Sequence, residues 1–185
     1  MQFPRSLWKP ALALLLCVWL APTGAYAKSA QQIDAEVNAA LTKLYEINGT
    51  AKALAPQAKG ILVFGKVVKG GLIIGGSRGL GSLMINGKKV AYYQTNSGSI
   101  GLQAGIEERS EVIMFMTDES LKKFQNSDNW EAGVDGSIAV INAGTGGDVT
   151  TKTAQAPIIG FIFGNSGLFA GVSFEGSKIS HYTPE

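Results

Sequence analysis

Residues 59–82, KGILVFGKVVKGGLIIGGSRGLGS, limit the possible folds more than any other stretch. Apolar runs of two to four residues are broken by glycine too often for a helix to survive, and Val, Ile and Phe dominate the runs, so the spacing predicts short strands. The stretch also carries four basic residues and no carboxylate. Three kinds of chemistry fit such a segment: a nucleotide-binding turn, a hydrolase nucleophile elbow, or a glycine-jointed β-structure presenting cations to an anionic surface.

The same periodicity runs through the chain that follows. Strands are expected at 60–65, 71–77, 81–85, 89–95, 99–106, 111–116, 136–143, 158–163, 167–174 and 178–182, with Asn86-Gly87 as a type I′ hairpin turn. A G-L-x-x-G pattern recurs at Gly71, Gly101 and Gly167; glycines so placed mark bends or close backbone approach and suggest a curled sheet. Two helices interrupt the pattern. Ile33, Val37, Ala40, Leu41 and Leu44 recur at helical spacing over residues 29–46, which predicts an amphipathic helix lying on a core. A short second turn reaches Ala55 before Pro56, and Asp118 caps a brief helix through Gln125 that buries Leu121 and Phe124. The expected fold is α+β: a strongly twisted, barrel-like antiparallel sheet of about nine strands with an N-terminal amphipathic helix and one short internal helix.

Context decides the chemistry. The G-x-x-x-G-x-G of residues 75–81 resembles a cofactor turn, but that turn needs a strand feeding a helix and an acid beyond it, and here Ser82-Leu83-Met84-Ile85 and a hairpin follow. Gly75-Gly76-Ser77-Arg78-Gly79 matches G-x-S-x-G with His181 downstream, yet the elbow also requires a strand-to-helix turn. One cysteine and one histidine are too few for a transition-metal site. Asp128, Glu131 and Asp135 lack calcium-loop spacing and read as a solvated acidic turn. Tyr92 and Tyr93 beside Lys88 and Lys89 fall short of a nucleic-acid stacking platform. The expectation is a protein without catalytic activity, cofactor, metal or nucleic-acid partner.

Residues 1–27 read as a secretory signal peptide: Arg5 and Lys9, an apolar run over residues 11–20, then Ala25-Tyr26-Ala27 as the cleavage site. Acylation at Cys17 is the alternative, disfavoured by the bulky Leu16 before it. Cleavage leaves residues 28–185 as one domain, expected in the periplasm, without cysteine and with equal numbers of basic and acidic residues. Their distribution is uneven. Between Glu46 and Glu107 stand seven basic residues and no acid, which fits either a solvated basic face or a surface for phosphate-bearing partners.

Taken together, AKGILVFGKVVKGGLIIGGSRGLGSL, GSIGLQAG, VIMFMTDESLKKF and GLFAGVSFEGSKI resemble the successive blocks of the SYLF domain family, from about Ala39 to Ile179. The resemblance implies a lipid-binding module; eukaryotic members bind phosphoinositides, and some, joined to a Src-homology-3 domain, bind and bundle actin. The family's aromatic-proline segment is here Ala91-Tyr92-Tyr93-Gln94, without the proline or tryptophan. The export signal separates this chain from the eukaryotic partners, which leaves an affinity for anionic phospholipid head groups. The candidate lipid-binding residues are Lys66, Lys69, Arg78, Lys88 and Lys89. The alternative is an envelope scaffold or protein-interaction module whose glycine-rich faces pack on another protein.

Overall fold

The computed structural model describes residues 28–71, 74–100, 107–141, 153, 155–169 and 172–185. The proposed signal segment and the whole of the second G-L-x-x-G pattern lie outside them.

Helix α1 (Ala30–Ile47) forms where the periodicity predicts it. Ser29 and Gln32 cap each other's backbone N–H groups, satisfying two of the donors that every helix start leaves free. Ile33, Val37 and Leu44 are fully buried, each contributing roughly 2 kcal/mol of apolar burial. Asn48 ends α1 and caps α2 (Gly49–Leu54), after which a 3-10 turn, Ala55–Gln57, brings the chain to the sheet.

Among the described residues nine strands form one sheet. They are β1 (Gly60–Gly71), β2 (Ile74–Ile85), β3 (Lys88–Ile100), β4 (Glu107–Phe115), β5 (Asn129–Glu131), β6 (Ala139–Ile141), β7 (Ile158–Gly164), β8 (Gly167–Leu168) and β9 (Lys178–Tyr182), with α3 (Asp118–Gln125) after β4. The spatial order is β5-β9-β3-β2-β1-β4-β7-β6, with β8 on β7. All pairs are antiparallel except β6 with β7. A flat sheet of eight strands would hold its edges about 34 Å apart. The connection from β5 to β6 reaches at most about 28 Å even when extended, and it is folded back on itself by an Ala132–Gly136 bridge. The sheet therefore curls into a half-barrel.

The inner face is filled by Leu62, Phe64, Tyr93, Phe115, Phe124 and Trp130. Tyr93 and Phe115 pack on Phe124 of α3 with tilted rings, and Trp130 meets it edge to face. The outer face carries α1 and α2 on Val63, Val112, Met114 and Phe161. Two glycines explain how these layers come so close. A Cβ at Gly65 would run into the α1 backbone at Glu36, and one at Gly160 would run into Phe174.

The strand boundaries correct the sequence expectation. The glycines of residues 75–81 do not break the chain into two strands; they lie inside β2, paired on both sides. β3 likewise spans what reads as two strands, and among the described residues of the 167–174 segment only Gly167–Leu168 is strand. Asn129–Glu131, read as part of an acidic turn, pairs with β9. Glu131 faces Lys178 there at 3.6 Å, and the Asp135 carboxylate accepts the Glu131 N–H at 2.7 Å.

Candidate functional site

Each cation of the basic block is placed by strand alternation, which sends successive side chains to opposite faces. A bulge between Phe64 and Lys66 sets the phase of the second half of β1. Lys66 then faces outward, three residues from Lys69, which faces inward between Ser77 and Glu107 in the register. Arg78 is exposed on the outer face of β2. Lys88 and Lys89 follow the Asn86-Gly87 turn, where both turn residues have positive φ (52° and 73°). Seven residues of β2 separate that turn from Arg78, or about 23 Å. The five residues thus occupy both faces and both ends of the sheet, and the single basic surface expected from the sequence does not form.

Nor are all five uncompensated. Lys66 Nζ lies 2.6 Å from Glu108 on β4. The Glu108 hydrogen bond and charge raise the Lys66 pKa above its ordinary value, with the more distant Glu36 adding to the effect. Lys89 Nζ lies 2.9 Å from Asp34 on α1, whose carboxylate also accepts the Tyr92 hydroxyl at 3.1 Å. Burial, then this hydrogen bond and the Asp34 charge, push the Tyr92 phenol up. Asp34 so pins α1 to β3. Among the described residues Lys69, Arg78 and Lys88 form no ion pair; Arg78 Nη2 donates only a long 3.4 Å bond to Gln94.

A row across the outer face, missed in the sequence, surrounds Arg78. Register aligns Glu108, Val68, Arg78, Asn96, Lys178 and Glu131 on six neighbouring strands. Lys66 stands diagonally beside Arg78, about 7 Å away across the ladder. Val68 is exposed within the row. Pairings between residues so far apart in the chain have no local signal, and only the register reveals them.

The serine of the G-x-S-x-G match is buried inside β2, with its hydroxyl 2.6 Å from that of Ser97. His181 pairs instead with Tyr93, four residues along β3 from Ser97, or about 13 Å. Its Nε2 lies 3.5 Å from the Tyr93 hydroxyl. Among the described residues no three His, Cys, Asp or Glu side chains gather as a metal site, and no helix is long and apolar enough to cross a membrane.

Among the described residues the inner face holds one buried ion pair, Arg109 with Glu111, its Nε 2.8 Å from Oε1. Desolvation raises the Glu111 pKa, and the charge and hydrogen bond of Arg109 oppose the rise.

A family model described as "Ysc84: Las17-binding protein actin regulator" matches residues 96–185, from the second half of β3 to the end of the chain. No curated protein matches the sequence.

Proposed function

Given that residues 96–185 belong to the Ysc84 (SYLF) family, we propose that this chain is a non-enzymatic lipid-binding protein of the cell envelope that engages anionic phospholipid head groups. The observation that carries this reading is Arg78: an exposed guanidinium without an acid partner among the described residues, in a row with exposed Val68 and Lys178 and beside Lys66. A fork of N–H donors suits a phosphate better than a lone ammonium does. Lys69, on the other face of the same hairpin, adds a charge with no ion pair among the described residues near the end of β1. Lys88 and Lys89 stand too far off to share this contact. The apolar face of α1 is buried on the sheet, so the reading rests on the strands and not on helix insertion. Residues 1–27 support a periplasmic location, which fractionation of cells expressing the chain would test.

Co-sedimentation with anionic and zwitterionic vesicles across a salt series tests the lipid reading. Binding should require anionic lipid, fade as salt screens the charges, and fall at least about fivefold in Arg78→Glu, since each basic residue near such a surface contributes about 1 kcal/mol. Equal binding to both vesicle types, or indifference to salt, would reject it. The family's description names a protein partner, so a chain that ignores vesicles but captures an envelope protein through this face would favour the scaffold reading.

A further inference from the structure

Where the link from β5 to β6 passes α3, it leaves a cavity of about 450 Å³. Leu121 and Phe124 bury one side of α3 in the core. Glu119, Ser120 and Lys123 share the adjoining side and line the cavity. The opposite wall is the link itself, which supplies Asp135, Gly136, Ser137 and Ile138. The floor is Trp130 of β5 and Ile158 of β7, 1% and 5% exposed. Gly136 lets the link lie directly on both, since a Cβ there would come within 2.8 Å of Trp130 and 3.0 Å of Ile158. Both walls are held in place. The Ser120 hydroxyl lies 3.0 Å from the Pro157 carbonyl oxygen, which fixes α3 to the start of β7. Asp135 is fixed through Glu131, whose carbonyl accepts its N–H at 2.9 Å and whose N–H donates to its Oδ2 at 2.7 Å. A site framed in this way needs little ordering when a ligand enters.

An apolar cavity of this size with a few polar groups is the usual form of a small-molecule site. At roughly 30 Å³ for each non-hydrogen atom, about fifteen atoms fit. The apolar lining is Trp130, Ile138, Ala139, Ala156, Pro157 and Ile158. The charged lining has both signs. Glu119 and Lys123 are exposed and stand four residues apart, with Cβ atoms about 6 Å from each other, the spacing at which Glu and Lys pair on a helix. Among the described residues neither forms an ion pair. Asp135 keeps its Oδ1 uncommitted, and the Ser137 hydroxyl and the Trp130 indole N–H make no hydrogen bond among the described residues. The other charges of α3 lie elsewhere: Asp118 and Lys122 are each turned about 100° around the helix from Glu119 and Lys123. A carboxylate and an ammonium side by side over an apolar floor match a ligand that carries both charges close together on an apolar body.

We propose that this cavity binds a free α-amino acid with a large apolar side chain, its ammonium at Glu119 and Asp135, its carboxylate at Lys123 and its side chain over Trp130 and Ile158. The site is separate from the head-group surface and does not depend on it.

Phenylalanine is the probe, and two relatives each lack one of its charges: phenethylamine has no carboxylate, and 3-phenylpropanoate has no ammonium. Trp130 reports locally, because in the full chain carrying Trp8→Phe and Trp19→Phe it is the remaining tryptophan. Equilibrium dialysis should give saturable binding of phenylalanine, accompanied by a saturable change in Trp130 emission, and each relative should bind at least about fivefold more weakly. Changes at the two exposed residues of α3 separate the contacts. Lys123→Gln should weaken phenylalanine by about fivefold or more without weakening phenethylamine, and Glu119→Gln should weaken it likewise without weakening 3-phenylpropanoate. Arg78→Glu should leave phenylalanine binding intact even as it reduces vesicle binding. Phenylalanine that is not retained, or is retained without any change in Trp130 emission, would overturn the proposal. So would equal affinity for phenylalanine and both relatives, or affinities indifferent to both Lys123→Gln and Glu119→Gln.

Discussion

Arg109 and Glu111 stand two residues apart on the inner face of β4 and form an ion pair that is almost completely withdrawn from solvent, at 7% and 2% side-chain exposure. Register sets Val67 opposite Arg109, and Phe64 and Ile162 opposite Glu111, so neither charge has water to fall back on. Arg109→Met alone strands a buried carboxylate and should destabilise the fold by about 3–5 kcal/mol. The double change Arg109→Met with Glu111→Leu removes both charges and should cost far less. Urea unfolding of the three proteins at neutral pH measures the difference.

The same pair sets a pH dependence. Burial holds the Glu111 carboxyl above its ordinary value of 4.5, so the folded state retains a proton that the unfolded state has already released. Where the folded state binds more protons, stability declines as pH rises. The Glu111 contribution should therefore diminish upward from about the ordinary carboxylate value until the group is ionised in both states. Glu111→Gln should flatten that part of the profile in thermal melts taken across the acid range.

Gly65 is where α1 meets the bulge of β1. An added Cβ has no room because its neighbour is backbone, which cannot swing aside as a side chain would. Gly65→Ala should lower stability by about 1–3 kcal/mol and loosen α1, seen as faster hydrogen exchange in residues 30–47 than in α3. An unchanged melting temperature would show that α1 does not press on the strand.

Ser82 lies fully buried beneath α1, and its hydroxyl has no hydrogen-bond partner among the described residues. An unpaired buried hydroxyl carries a desolvation penalty of about 1–3 kcal/mol. Ser82→Ala should thus be neutral or stabilising, in contrast to most buried changes, and a denaturant midpoint at or above the parent's is the expected result.

What the sequence disclosed follows from the range of the interactions involved. Local signals were reliable for the elements, since the 3.6-residue spacing from Ile33 to Leu44 gave α1 and Asn86-Gly87 made the hairpin, but α3 is capped by Thr117, and Asp118, expected as the cap, is its first residue. Glycine misled inside β2, because two flanking strands supply the hydrogen bonds that keep Gly75, Gly76 and Gly79 extended. The short β5 has no periodicity of its own and exists because β9 pairs with it. The basic block suffered most. No acid lies near Lys66 or Lys89 along the chain, yet Glu108 and Asp34 reach them through a neighbouring strand and an overlying helix. A run of like charges in sequence therefore did not translate into a like-charged surface.

That compensation yields a prediction opposite to the usual effect of adding lipid-facing charge by substitution. Lys66 stands diagonally beside Arg78 on the outer face, but its ammonium is engaged by Glu108, whose side chain is itself 58% exposed. An exposed pair of this kind adds little to stability, so the fold should tolerate its loss. Glu108→Gln removes the negative charge from the row and frees Lys66 beside Arg78 for a phosphate. Anionic-vesicle binding should then strengthen, by up to about fivefold for one released cation, and its salt dependence should steepen. Glu131→Gln, at the far end of the row next to Lys178, should act in the same direction but more weakly, because Lys178 and Glu131 are separated by 3.6 Å and Lys178 is already largely exposed. Weaker binding in Glu108→Gln, with its melting temperature unchanged, would place the lipid contact away from this face.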